Sequence, residues 1–225
     1  MEGKHEMKKK EKNSAELQQE LFERYPQLAE CREGFTRAFE CLKESYRSGG
    51  KLLVAGNGGS AADSEHIVGE LMKSFLFNRK IDSDFESRLI TEFGETGSDL
   101  ASKLEGALSA IPLTSMPALT SAFANDVDAA VGFAQMLYGY GRPGDVFIGI
   151  STSGNSKNIV YALMAAKAKG ISTIALTGGT GGKCRELADI VICVPESETF
   201  KIQELHLPVY HALCSMLEAE FFEER

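Results

Sequence analysis

Two short apolar runs each feed a turn crowded with small and hydroxylated residues, and each turn precedes a helical pattern. KLLVA (51–55) leads into Gly56-Asn57-Gly58-Gly59-Ser60, and DVFIGI (145–150) leads into Ser151-Thr152-Ser153-Gly154-Asn155-Ser156. Unbroken apolar runs of this length fit strands buried on both faces, and such strands belong to parallel sheets covered by helices. The rest of the chain keeps the alternation. A helix is expected over about 61–77, another over 156–168 ended by Gly170, and further strands at ISTIALT (171–177) and DIVICV (189–194). The expected fold is therefore α/β: a three-layer αβα sandwich with a parallel sheet, flanked by N- and C-terminal helices.

The flanks are helical in pattern. Ser14 is placed to cap a helix from Ala15, with Leu17 and Leu21 on one face. Pro26 interrupts it. Leu28, Cys31, Phe35, Phe39, Leu42 and Tyr46 then recur at helical spacing up to Gly49-Gly50. A long apolar-rich helix is expected over about 200–222, with a kink at Pro208 just before His211. Between the first turn and the second strand the pattern weakens. One helix is expected from Ser98, as cap, to Ala110, then an apolar stretch around 111–115 and two short helices around 117–139. Residues 1–13, with five Lys and three Glu, read as a disordered arm, and 14–225 as a single domain.

Both turns follow strands, so both fall on the carboxyl edge of the sheet, where ligands bind in this class of fold. Ser151, Thr152, Ser153 and Ser156, beside the N–H groups of a helix N-terminus, can converge on a phosphate. The first turn loosely matches a dinucleotide fingerprint (Gly56-x-Gly58-x-x-Ala61), but the acidic residue expected about 20 positions on has no counterpart. The third Gly-rich turn, 178–182, has Thr180 as its only hydroxyl and reads as a structural loop.

Two helices carry chemistry-bearing pairs: His66 and Glu70 at i, i+4, and Gln203 and His211 at i, i+8. Glu70 lies among Ile67, Val68 and Leu71, a setting that raises a carboxylate's pKa and makes it a better base near neutrality. His211 can supply or take a second proton. The same atoms allow a zinc ion held by His66, Glu70 and His211, with the Gln203 amide oxygen as an uncommon fourth ligand. His206 is assigned a packing or supporting role.

Composition narrows the class. A formal charge of −8 argues against a general nucleic-acid surface but not against a phosphorylated metabolite. No apolar run reaches a membrane span, and the charged N-terminus lacks the apolar stretch of a signal peptide. Five scattered cysteines without metal spacing fit a reducing cytoplasm.

Four segments together, GNGGSAADSEHIVGEL (56–71), LTSAFAND (119–126), GDVFIGISTSGNSKNIV (144–160) and KIQELHLPVYHALCSMLE (201–218), resemble the sugar isomerase (SIS) domain and within it the phosphoheptose isomerases. The resemblance implies conversion of sedoheptulose 7-phosphate to D-glycero-D-manno-heptose 7-phosphate, in the making of nucleotide-activated heptose. It implies that Ser60, Ser151, Thr152, Ser153 and Ser156 hold the phosphate. Asn57, Gly58, Gly59, Asn125 and Asp126 would contact the sugar. Glu70 and His211 would be the acid/base pair with Gln203 nearby, and His66, Glu70, Gln203 and His211 the positions where some members bind zinc. A homotetramer with active sites at subunit contacts is also implied. Against that family, roughly 30 residues at about 80–111 read as inserted, well beyond usual loop length. They are expected to form a lid, a subunit contact or a partner surface. The competing reading is a non-catalytic SIS-domain phosphosugar sensor or a replication-initiator-binding protein. The absence of a helix-turn-helix pattern and the presence of both Glu70 and His211 weigh against it.

Overall fold

The structure, a computed structural model, describes residues 12–222. Its centre is one five-stranded sheet, all parallel, in the order β2-β1-β3-β4-β5. The strands are β1 (Leu52–Ala55), β2 (Ala110–Pro112), β3 (Val146–Ser151), β4 (Ser172–Gly178) and β5 (Ile190–Val194). Alternate side chains point to opposite faces, as the pleat requires. Leu52, Val54, Val146, Ile148 and Ile150 enter one core, and Leu53, Ala55 and Phe147 enter the other.

The first core is covered by α1 (Ser14–Arg24), a 3-10 segment (Pro26–Cys31), α2 (Arg32–Arg47), α3 (Gly59–Met72) and α9 (Thr199–Phe221). The second is covered by α6 (Gly132–Tyr140), α7 (Lys157–Ala168) and α8 (Gly182–Leu187). Three elements remain: α4 (Ser83–Ala101), α5 (Pro117–Asp126) and a second 3-10 segment (Ala129–Val131). The expected three-layer sandwich is the observed one. Among the described residues no helix is long and apolar enough to cross a membrane.

Several local expectations need correction. Asn13, not Ser14, caps α1: its side chain accepts from Glu16 N at 3.0 Å, and Glu16 Oε2 accepts from Asn13 N at 3.0 Å. This reciprocal box needs a carboxylate three residues on, which Ser14 lacks because Leu17 stands there. Asn13 and Lys12, which pairs with Glu20 at 2.7 Å, therefore do not belong to a disordered arm. Residues 1–11 of that expected arm, and 223–225, lie outside the described residues. Helix α3 stops at Met72, five residues early, and Lys73 turns extended. Helix α9 is continuous through Pro208.

The expected helix from Ser98 to Ala110 is replaced by α4, which starts fifteen residues earlier at Ser83. Asp82 caps it, accepting from Asp84 N at 3.1 Å and Phe85 N at 3.0 Å. Gly94 (φ 57°, ψ −131°) breaks the helix in a conformation open to glycine. The chain then folds back until Gly97 abuts the Leu89 carbonyl. At the end of the segment expected to be inserted, Ala110 and Ile111 are paired in β2 with Leu52 and Leu53.

Candidate active site

In a sheet ordered 2-1-3-4-5 the connections change direction between β1 and β3, and the crevice there is where ligands bind. Helix α3 leaves β1 toward one face and α7 leaves β3 toward the other. The two Gly/Ser turns therefore flank one opening. They are stitched together by a reciprocal amide pair: Asn57 Nδ2 donates to Asn158 Oδ1 at 3.0 Å, and Asn158 Nδ2 donates to Asn57 Oδ1 at 2.8 Å. Gly58 (φ 56°, ψ −121°) takes a turn that a side chain would strain.

Two helix N-termini meet at this opening, each with a partial positive charge and unpaired N–H groups. Ser60 is buried in the first turn of α3. Ser151 Oγ donates to Ser156 Oγ at 3.0 Å, and Ser156 makes no side-chain capping bond to α7. Ser153 Oγ accepts from Asn155 N at 3.2 Å, and the Thr152 carbonyl accepts from Gly178 N at 3.1 Å. The arrangement suits an anion such as a phosphate.

Gln203 and His211 meet α3 at different positions. Gln203 lies against the start of α3, where a Cβ added to Gly59 would sit 2.5 Å from Gln203 Nε2. His211 instead meets His66, with Nε2 atoms 3.4 Å apart. Helices α3 and α9 thus run side by side in the same direction, and eight residues of α9 advance about 12 Å. Gln203 stands at the phosphate end and His211 two turns beyond it.

Around His211 the contacts are dense. His66 Nε2 faces Glu70 Oε1 at 3.0 Å, and His66 Nδ1 lies 3.0 Å from the Tyr210 hydroxyl. That hydroxyl donates to Asp63 Oδ1 at 3.2 Å. Glu70 Oε2 is buried without a hydrogen bond, its nearest cation being Lys73 Nζ at 3.6 Å. Burial, reinforced by His66, holds His211 below the ordinary imidazole range, with Glu70 opposing. Burial raises the Asp63 carboxyl, offset in part by the Tyr210 hydrogen bond. A cavity of about 330 Å³ opens beside His211, between α1, Phe75-Leu76 and α9. Asn125 and Asp126 are exposed at the end of α5 and bond to each other at 2.7 Å. No hydrogen bond joins them to this cluster among the described residues.

The donor set suits zinc. Zinc binds N and O donors at about 2.0–2.2 Å in a tetrahedron, which puts neighbouring donors roughly 3.3 Å apart. His66 Nε2 lies at comparable spacing from Glu70 Oε1 and His211 Nε2. His66 contacts both Glu70 and His211, and among the described residues no three His, Cys, Asp or Glu encircle a common metal position.

The SIS domain family matches residues 18–110 and 86–178. The phosphoheptose isomerase of Aneurinibacillus thermoaerophilus is 40% identical over 182 residues, 81% of this chain and 79% of that protein. The chain belongs to the phosphoheptose isomerase family of SIS domains. Phosphoheptose isomerase 2 of Campylobacter jejuni is 40% identical over 82% of this chain and 79% of its own length. The structure of phosphoheptose isomerase GmhA from Neisseria gonorrhoeae superposes with a TM-score of 0.68 at 31% identity, covering 91% of this chain and 92% of that one.

For a phosphoheptose isomerase fold, three residues of this cluster escaped sequence reasoning. Asp63 stands at i−3 from His66 on α3, a spacing that could have found it. Tyr210 adjoins His211 but has no pattern of its own. Arg79, fully buried, donates from Nη2 to the Glu70 carbonyl and from Nη1 to the Leu71 carbonyl, both at 2.7 Å. These bonds satisfy carbonyls that the early end of α3 leaves open.

Proposed function

We propose that this chain is an aldose–ketose isomerase that converts sedoheptulose 7-phosphate to D-glycero-D-manno-heptose 7-phosphate through an enediol(ate), acting as one SIS domain. The observation that carries the reading is Glu70: a buried, unbonded carboxylate oxygen beside His211, on the helix that leaves the phosphate turn. The isomerase relatives point to the same substrate class.

The chemistry needs two kinds of proton movement, one between C1 and C2 and one between their oxygens. Glu70 has the exposure and neighbours of a base for the carbon-bound proton, and His211 those of the partner that serves the oxygens. Ser60 lies six residues before His66 on α3, about 9 Å along the axis. Phosphate held by Ser60, Ser151, Thr152, Ser153 and Ser156 would therefore leave an extended sugar chain reaching toward Glu70. Asn57, Gly58, Gly59 and Gln203 line the way between. Binding energy gained at the phosphate then orients carbons that it does not touch. Zinc, held by His66, Glu70 and His211, would polarise the carbonyl and stabilise the enediolate charge.

The assembly reading is a homotetramer with sites at subunit contacts. Its support is α4, whose Phe85, Ile90, Phe93 and Leu100 are all exposed in the single chain. A partner subunit is also the simplest way to bring Asn125 and Asp126 to a sugar. All five cysteines are free, which supports a reducing, cytoplasmic setting. The test is incubation of the purified protein with sedoheptulose 7-phosphate, with zinc and after chelation, and detection of the aldose. Tight sugar-phosphate binding with no aldose under either condition would replace the enzyme with a sensor.

A further inference from the structure

Asn158 lies outside both Gly/Ser turns, two residues past Ser156 in the first turn of α7, yet its side chain reaches Asn57 across the opening. A carboxamide has two N–H groups and two oxygen lone pairs. The reciprocal pair uses one of each on both residues. Asn158 Oδ1 also accepts from Ile159 N at 3.0 Å, an N–H shared with the Ser156 carbonyl at 3.0 Å. That third contact decides which way both amides face. Turning the two over together would keep the pair but set the Asn158 NH2 against the Ile159 N–H, donor against donor. The backbone of α7 therefore orients Asn158, and Asn158 orients Asn57. Asn57 is exposed, and the pair leaves it one N–H and one lone pair.

We propose that Asn158 is a positioning residue that clamps the Asn57 amide in one orientation, so that a sugar chain anchored by its phosphate meets an Asn57 already set to bond it. This role rests on the isomerase reading for the identity of the sugar phosphate and for Asn57 as a sugar contact. A side chain held before the ligand arrives need not be ordered on binding, and the difference appears as affinity for the sugar portion. The phosphate turn keeps its shape without Asn158, through Ser151 to Ser156, Asn155 N to Ser153 Oγ and Gly178 N to the Thr152 carbonyl. Ser60 N stays bonded to the Asn57 carbonyl at 3.0 Å, a backbone contact that a change at Asn158 does not remove. Asn158 thus tunes the grip on the sugar and not the grip on the phosphate.

The measurement is equilibrium dialysis of the full chain against sedoheptulose 7-phosphate and, separately, against inorganic phosphate. Asn158→Ala should weaken the sugar phosphate by about 3–10-fold, the loss expected for one side chain that must now be ordered on binding. Inorganic phosphate should stay within about two-fold, which also shows that the variant is folded. Because Asn158 acts through Asn57, adding Asn158→Ala to Asn57→Ala should cost less than about two-fold more than Asn57→Ala alone. A merely structural role would add its loss in that background and weaken both ligands alike, and either result overturns the positioning role. So does unchanged affinity in Asn158→Ala, or a wild type that holds sedoheptulose 7-phosphate no more tightly than inorganic phosphate. Dialysis needs no turnover. The expected binding pattern in a protein that forms no aldose would fail the isomerase reading and leave the clamp standing.

Discussion

Arg79 and Glu218 form a fully buried ion pair, Nε to Oε1 at 2.7 Å, that fastens the end of α3 to α9. Glu218 also accepts from the backbone N–H groups of Phe75 and Leu76, each at 2.8 Å. With the Arg79 bonds to the Glu70 and Leu71 carbonyls, one pair fixes both α3 and the segment after it. Removing one partner of such a pair leaves an uncompensated charge in the core. Glu218→Gln should cost about 3–5 kcal/mol in urea denaturation, and replacing both residues by apolar ones should cost less than the sum of the single changes. A loss under about 1 kcal/mol would show that the pair is not what holds α3 to α9.

Glu70→Gln and His211→Ala should each reduce kcat by about 10²–10⁴-fold, the usual range for a lost general acid or base, with a small change in KM. Steady-state assays on sedoheptulose 7-phosphate read both. Full activity in either variant would remove that residue from proton transfer.

Ser156→Ala should act on binding instead. A hydrogen bond to a charged group contributes about 1.5–3 kcal/mol, so KM should rise roughly 10–100-fold with kcat little changed. The same variant should lose much of the preference for phosphorylated over unphosphorylated sugar. A fall in kcat alone would place Ser156 away from the phosphate.

The strands and both Gly/Ser turns were legible because their signal is local: apolar runs followed at once by glycine and hydroxyl residues. The α4 segment was not. The structure spends Gly94 on a turn-back and caps the helix with Asp82, a cap as good as Ser98. Glu70 and His66 were visible as an i, i+4 pair. Gln203 and His211 meet different parts of α3, which spacing along one helix does not reveal. Arg79 was invisible for a related reason, its partner lying 139 residues away.

His206 gives a pH prediction. It is fully buried, and desolvation lowers its pKa from 6.5 to about 4. The unfolded chain therefore binds a proton that the folded chain refuses between those values. Stability from keeping His206 neutral is complete above pH 6.5 and declines as pH falls toward 4. The decline should total roughly 3 kcal/mol across that window. His206→Phe should flatten this part of the profile in denaturant titrations run at several pH values. A profile parallel to wild type would mean another group drives the acid loss.

The contacts that build the proton-transfer cluster from two helices all span most of the chain. His66 to Tyr210, His66 to His211 and Asp63 to Tyr210 close separations of 144, 145 and 147 residues. Closing loops of that length is entropically slow compared with setting a strand against its following helix. Each Gly/Ser turn taken singly needs only its own βα unit, while joining the two through Asn57 and Asn158 closes 101 residues. That joining should precede the meeting of His66 and His211, which waits for α9 to dock. A refolding chain caught between those two events would already capture a sugar phosphate yet be unable to isomerise it. Recovery of ligand binding should therefore run ahead of recovery of turnover.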